Sequence, residues 1–332
     1  MHSSIRIHLR RFAGILLLFG TVSSHAATVR TEITGVDGET LANVRASLSL
    51  VQAESLDDVS IWRLRQMADD AAEEVRLALQ PFGLYNPRVA VRLIEPDGPE
   101  AAWTARVQVV PGDPVRIERA QIRIEGPAAE LPEFTRWQAD WPLPEDSVLR
   151  HLAWRQHLDR LEGLADELGF FEARYLDRRI AVEPFRNEAT IDLHYDAGPR
   201  YAFGTVDFGD AGFETDLMQR LTVIDAGQPY VAGELDRQRE VLARSGYFES
   251  VIVETRRDPE RDAVDLSYEL QRRPPNTYRA LAGFGTDTGA RIQLGWQRHY
   301  VGDGGDRFDM RFGAQQADQE FVYRLDYQRP FG

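Results

Sequence analysis

The chain has 332 residues, 43% hydrophobic and 10% aromatic, which is enough apolar material for two or three folded domains and too much for a disordered or fibrous protein. Its 39 basic residues are all arginine and are dispersed among 53 acidic ones, for a formal charge of −14; no basic stripe is present to displace counterions from a phosphate backbone, so nucleic acid is excluded as a partner. With no cysteine, disulfides, cysteine-ligated metals, iron–sulfur clusters and thiol catalysis are excluded together.

At the N-terminus Arg6, His8, Arg10 and Arg11 precede an apolar run from Phe12 to Val22, and Ser24-His25-Ala26 supplies small residues where a signal peptidase cuts. This predicts a signal peptide over residues 1–26, cleaved at Ala26 or Ala27. The apolar run is too short for a membrane-spanning helix, which needs roughly 20 residues.

The middle of the chain repeats. Leu79-Gln80-Pro81-Phe82-Gly83-Leu84-Tyr85 leads into an alternating strand at Arg88, Leu164-Ala165-Asp166-Glu167-Leu168-Gly169-Phe170-Phe171 into one at Arg174, and Leu242-Ala243-Arg244-Ser245-Gly246-Tyr247-Phe248 into one at Val251. Each has a helical run, a glycine where a helix C-terminus wants a left-handed residue, and two bulky residues able to pack back on it. A second strand follows each time (Trp103 to Val109, Ala189 to Tyr195, Ala263 to Leu270), and strands at Val29, Val115 and Tyr201 open the units. Two helical stretches lie between opener and hairpin. The predicted order is β-α-α-β-β three times, at roughly 80-residue spacing.

This module, with its helix, glycine and bulky pair, resembles the POTRA domain of the Omp85 outer-membrane family. Three such modules after a signal peptide are most similar to the TamA type within that family. The resemblance implies POTRA-like domains over residues 27–113, 114–198 and 199–271. It also implies an outer-membrane assembly or translocation factor with its arm in the periplasm. The partners it implies are a TamB-like protein anchored in the inner membrane, unfolded outer-membrane client proteins, and outer-membrane lipid. Module number separates this type from BamA-like insertases and two-partner secretion transporters, which stay open as alternatives.

After Arg272-Arg273-Pro274-Pro275 the period changes to long alternating strands. Tyr278, Ala280, Ala282 and Phe284 face one way and Arg279, Leu281 and Gly283 the other. Ile292, Leu294 and Trp296 then alternate with polar or small residues, as do Phe308, Met310 and Phe312, and Phe321, Tyr323, Leu325 and Tyr327. Runs of about 10 residues with this dyad pattern, separated by turns at Asp287-Thr288-Gly289 and Gly302-Asp303-Gly304-Gly305, predict the N-terminal antiparallel strands of a transmembrane β-barrel over residues 276–332. A soluble amphipathic meander has the same alternation, so a periplasmic protein-binding scaffold without a barrel is the rival reading. Four strands cannot close a barrel, and the reading therefore expects an N-terminal fragment of a longer protein. The family resemblance makes the strand Tyr278, Arg279, Ala280, Leu281, Ala282, Gly283 and Phe284 one lip of an opening barrel seam.

No constellation in the sequence points to catalysis, a metal or a cofactor. His151 and His157 lie six apart, which is not a ligand spacing on a helix, and read as solvated helix residues. Gly302-Asp303-Gly304-Gly305-Asp306 lacks the spaced carboxylates of a calcium loop, and Gly283-Phe284-Gly285 lacks the spacing of a dinucleotide fingerprint.

Overall fold

The structure is a computed structural model that describes residues 28–56, 59–98, 101–285, 289–315 and 320–329. The signal-peptide positions, Ala26 and Ala27 included, lie outside the described residues, as do Asp287 and Thr288 of the first expected turn.

The chain divides into two compact units at Val115/Arg116. The first unit runs β1 (Val29–Thr34), α1 (Gly38–Ser47), α2 (Ser49–Gln52), α3 (Ile61–Leu79), β2 (Arg88–Ile94) and β3 (Trp103–Val110). Its sheet has the order β1-β3-β2, with β1 parallel and β2 antiparallel to the central β3. The strand that ends the module lies between the one that opened it and its hairpin mate, so two open edges remain. Alternation on β3 sends Trp103, Ala105, Val107 and Val109 inward. Leu64, Ala71, Val75 and Ala78, spaced as one face of α3, close the core against them with Val44, Leu48 and Leu50. The α3 helix is capped by Ser60, whose hydroxyl accepts from the Arg63 N–H.

The second unit repeats the scheme twice. Strand β4 (Arg116–Glu125), helices α4 (Pro132–Ala139) and α5 (His151–Glu167), and strands β5 (Arg174–Glu183) and β6 (Glu188–Asp196) form a sheet of order β4-β6-β5. Strand β7 (Ala202–Asp207), helices α6 (Thr215–Arg220) and α7 (Ala232–Arg244), and strands β8 (Phe248–Asp258) and β9 (Ala263–Arg272) form one of order β7-β9-β8. The β-α-α-β-β reading holds in the second and third modules, and in the first with the four-residue helix α2 added between its two longer helices. The repeat glycines Gly83, Gly169 and Gly246 all have positive φ, the left-handed geometry that stops a helix.

One expectation is corrected here. His157 is not solvated: it is buried on the core side of α5, next to Leu158 and Leu161. Its ring stacks on Trp137 at 4.3 Å and meets Trp141 edge-on. Its Nε2 donates to the Trp137 carbonyl at 3.0 Å, and the Trp137 indole N–H donates to the His157 carbonyl at 2.8 Å. Burial pushes the His157 pKa below the usual imidazole value. A histidine that satisfies its N–H on a backbone carbonyl and shows tryptophan an aromatic face can occupy a core position, which spacing alone does not reveal. His151 stands half-buried at the start of the same helix.

Candidate functional site

Strands β10 (Asn276–Gly285), β11 (Gly289–Val301), β12 (Asp306–Gln315) and β13 (Glu320–Gln328) form one antiparallel sheet in sequence order. They are 10, 13, 10 and 9 residues long, and a tilted strand needs about 9–11 residues to cross a bilayer. Among the described residues no helix is long and apolar enough to cross a membrane, a fact that does not bear on strands.

Register determines which residues share a face. Tyr278 pairs with Trp296, Ala280 with Leu294 and Ala282 with Ile292; Trp296 pairs with Met310 and Leu294 with Phe312; Met310 pairs with Leu325, Phe312 with Tyr323 and Phe308 with Tyr327. The large aromatic side chains and most of the aliphatic ones therefore fall on one face, with Leu281 and Val322 on the other. The apolar face is bare: Tyr278 is 74% exposed, Phe284 79% and Tyr323 84%. A continuous exposed apolar face of this size requires a cover of lipid or protein. At the end nearer the third module the pairs Tyr278–Trp296 and Phe308–Tyr327, offset by two positions, meet where Trp296 and Phe308 lie edge-on at 5.2 Å, and the Trp296 indole donates to the Asn276 carboxamide oxygen at 3.0 Å. Amphipathic rings grouped at one level of such a face have the arrangement of a membrane-interface girdle.

The opposite face is polar. Arg279, Gly295, Arg311 and Arg324 lie in one cross-strand row. Arg311 donates to Asp309 at 2.9 Å. The residues from Tyr278 to Phe284 all lie on β10, which among the described residues pairs only with β11 and so forms one edge of the sheet.

The sheet is docked on the third module by residues that the sequence reading treated as a break and a turn. The Arg272 guanidinium stacks over Phe213 at 4.2 Å and Tyr300 at 4.5 Å and reaches Asp303 at 3.5 Å. Those two rings meet edge-on at 5.2 Å. The buried Tyr247 hydroxyl donates to the Gly305 carbonyl at 2.8 Å, and Arg307 covers the Tyr247 ring at 4.5 Å. Gly305, at φ +79°, is required there, because a Cβ would come within 2.7 Å of Leu217 and 2.9 Å of the Tyr247 hydroxyl. The Glu214 N–H donates to the Asp303 carbonyl at 3.1 Å, and the Tyr300 hydroxyl to the Arg273 carbonyl at 3.0 Å. The sequence signal was present in the arginine–aromatic composition around a glycine-rich turn, but the partners are up to 89 positions apart (Glu214 to Asp303) and no local pattern links them.

Comparison with known proteins is consistent with this architecture. Residues 30–111 match the family described as POTRA domain TamA domain 1, and residues 201–273 match a POTRA family described as surface antigen variable number repeat. Both matches fall on β-α-α-β-β modules. Among solved structures, BamA from Haemophilus ducreyi lacking POTRA domains 1–3 is similar at 14% identity over 64% of this chain and 39% of that one, with a TM-score of 0.48. CdiB from Acinetobacter baumannii is similar at 14% identity over 65% and 41%, with a TM-score of 0.42. Haemophilus influenzae BamA POTRA3–5 is similar at 15% identity over 76% of this chain and all of that one, with a TM-score of 0.36. The chain thus spans 39% and 41% of the BamA and CdiB chains named first. The two domain matches, rather than these partial superpositions, carry the assignment. The chain thus carries two matched POTRA domains, the first of the TamA type, the domains that outer-membrane proteins of the Omp85 superfamily hold in the periplasm.

Proposed function

We propose that this chain is the periplasmic arm and first barrel strands of a TamA-type factor that helps insert or export outer-membrane proteins such as autotransporters. The observation that carries the reading is the TamA-type match over the first module. Proteins of this superfamily are transport and assembly factors rather than enzymes, and the arrangement of the modules suits that work. Among the described residues, strands β2, β5 and β8 each pair on one side only in their three-stranded sheets, whereas the opening strands β4 and β7 are bridged to Val148 and Pro229; an edge such as β2, β5 or β8 can accept an extended client segment whatever its side chains. A TamB-like inner-membrane-anchored protein is the proposed partner of the arm, with unfolded outer-membrane proteins as clients. Strand β10 is the proposed seam lip, and its free edge supports that role. Residues 1–26 are the proposed signal peptide that delivers the chain across the inner membrane.

The test is deletion of residues 29–112 from the full-length natural protein. The TamB-like contact is lost in crosslinking while the sheet resists carbonate extraction from membranes. Retained contact argues for a two-partner secretion or BamA-like role, and release by carbonate argues for a soluble scaffold.

A further inference from the structure

We infer that the bulky pair after each repeat glycine in the second unit does two jobs, closing its own module and, through one of the two residues, anchoring the next element. The second module, the third module and the four-stranded sheet are thereby joined into one rigid body. The pair Phe170-Phe171 sets the pattern. Phe170 is buried in the second module's core, edge-on to Phe134 at 5.5 Å. Phe171 points out of that module and enters the next, meeting Tyr201 at 5.3 Å and Tyr230 at 5.1 Å. The Arg257 guanidinium, from the third module's hairpin, closes over the Phe171 ring at 3.7 Å. Polar bonds keep this plug from turning. The Tyr201 N–H donates to the Gly169 carbonyl at 2.9 Å, its hydroxyl to Glu172 at 2.8 Å, and Arg200 to the Leu168 carbonyl at 3.1 Å. Gly169 must be glycine for contact as well as for φ, since a Cβ would come within 2.9 Å of the Tyr230 Cβ.

The pair Tyr247-Phe248 repeats the anchoring in a different form. Both rings are buried in their own module against Phe213, and Tyr247 also reaches the sheet, through its hydroxyl on the Gly305 carbonyl and the Arg307 guanidinium over its ring. The Arg272 stack and the Asp303 contacts lie beside it. At each junction an aromatic plug is covered by arginine and flanked by main-chain hydrogen bonds, so rotation would break directional bonds as well as apolar contact. The consequence is that edge strand β10 and the third module keep one relative geometry.

The natural chain has no cysteine within these 332 residues, so engineered pairs are its only thiols here. In the full-length protein reconstituted in lipid, spin labels on Asp159→Cys and Arg237→Cys report the first junction, and labels on Arg237→Cys and Arg324→Cys the second. The expected result is a single narrow distance peak for each pair. Phe171→Ala abolishes the single peak of the first pair only, and Arg272→Ala that of the second only. Tyr247→Phe, which removes only the hydroxyl and leaves the core filled, broadens the second pair and serves if Arg272→Ala impairs folding. Broad distributions in the otherwise unsubstituted protein, or peaks unchanged in folded variants, overturn the inference.

Discussion

Asp265 is the most constrained charge in the third module. It sits on the central strand β9, nearly out of solvent, and accepts from the Thr205 N–H at 2.8 Å, the Thr205 hydroxyl at 2.9 Å, Arg261 at 2.7 Å and Arg256 at 3.3 Å. The hydrogen bonds from Thr205, with the two guanidiniums, hold its carboxyl well below the usual carboxylate range. Because the folded state binds this proton more weakly than the unfolded one, the stabilisation is full above the ordinary carboxylate value of about 3.9 and is lost as pH falls through the lower folded value. Asp265→Asn is therefore expected to weaken β7–β9 pairing at neutral pH and to remove part of the acid lability. Amide-exchange protection at Thr205, corrected for the intrinsic rate, measures both effects, and a variant with unaltered acid lability would refute the assignment. Tyr201 shows the opposite shift. Burial, with its bond to Glu172, pushes its hydroxyl up to about 12, so the junction it serves stays intact across the physiological range.

At the scale of elements, the four-stranded sheet turns a one-residue difference in position into a difference of environment. Gln293 and Leu294 are neighbours on β11, one on the polar face and one on the bare apolar face. If lipid covers the apolar face, Leu294→Arg costs about 2–4 kcal/mol near the bilayer midplane, whereas Gln293→Arg is close to neutral. Equilibrium unfolding of the full-length protein in bilayers gives both numbers, and equal effects would remove the case for lipid on that face. The alternation was legible in the sequence because strand side chains have a period of two, and neighbouring residues alone display it. The repeat helices were legible for the same reason at a period of 3.6. His157 was not, because core membership of a polar ring depends on a carbonyl 20 positions away at Trp137 accepting its N–H. Phe171 was not, because a bulky residue after a helix-stopping glycine packs equally well in either direction as far as local pattern can tell.

At the scale of the molecule, the first module carries its own buried core, from Leu48 and Leu64 to Val107, within a separate compact unit. Residues 28–115 expressed alone are expected to unfold in one cooperative transition. Leu64→Ala is expected to lower their stability by about 2–5 kcal/mol, the usual cost of emptying a fully buried leucine site. Urea titration followed by circular dichroism checks both, and a broad non-cooperative melt of the unsubstituted segment would contradict its independence. In the second unit the same helix–glycine pattern has been used to join neighbours.

The sequence by itself determined the succession of β-α-α-β-β modules, the glycines that stop their helices, the change of period after Arg272-Arg273-Pro274-Pro275, and the two-faced strands that follow. These are properties of residues a few positions apart, governed by backbone geometry and the separation of apolar from polar side chains. Only the tertiary structure decided the strand order with β3, β6 and β9 at the centre, the burial of His157, and the use of Phe171, Tyr247 and Arg272 as joints. Those features depend on which distant groups meet, and an aromatic ring or a guanidinium is compatible locally with core, surface and interface alike until its partner is in place.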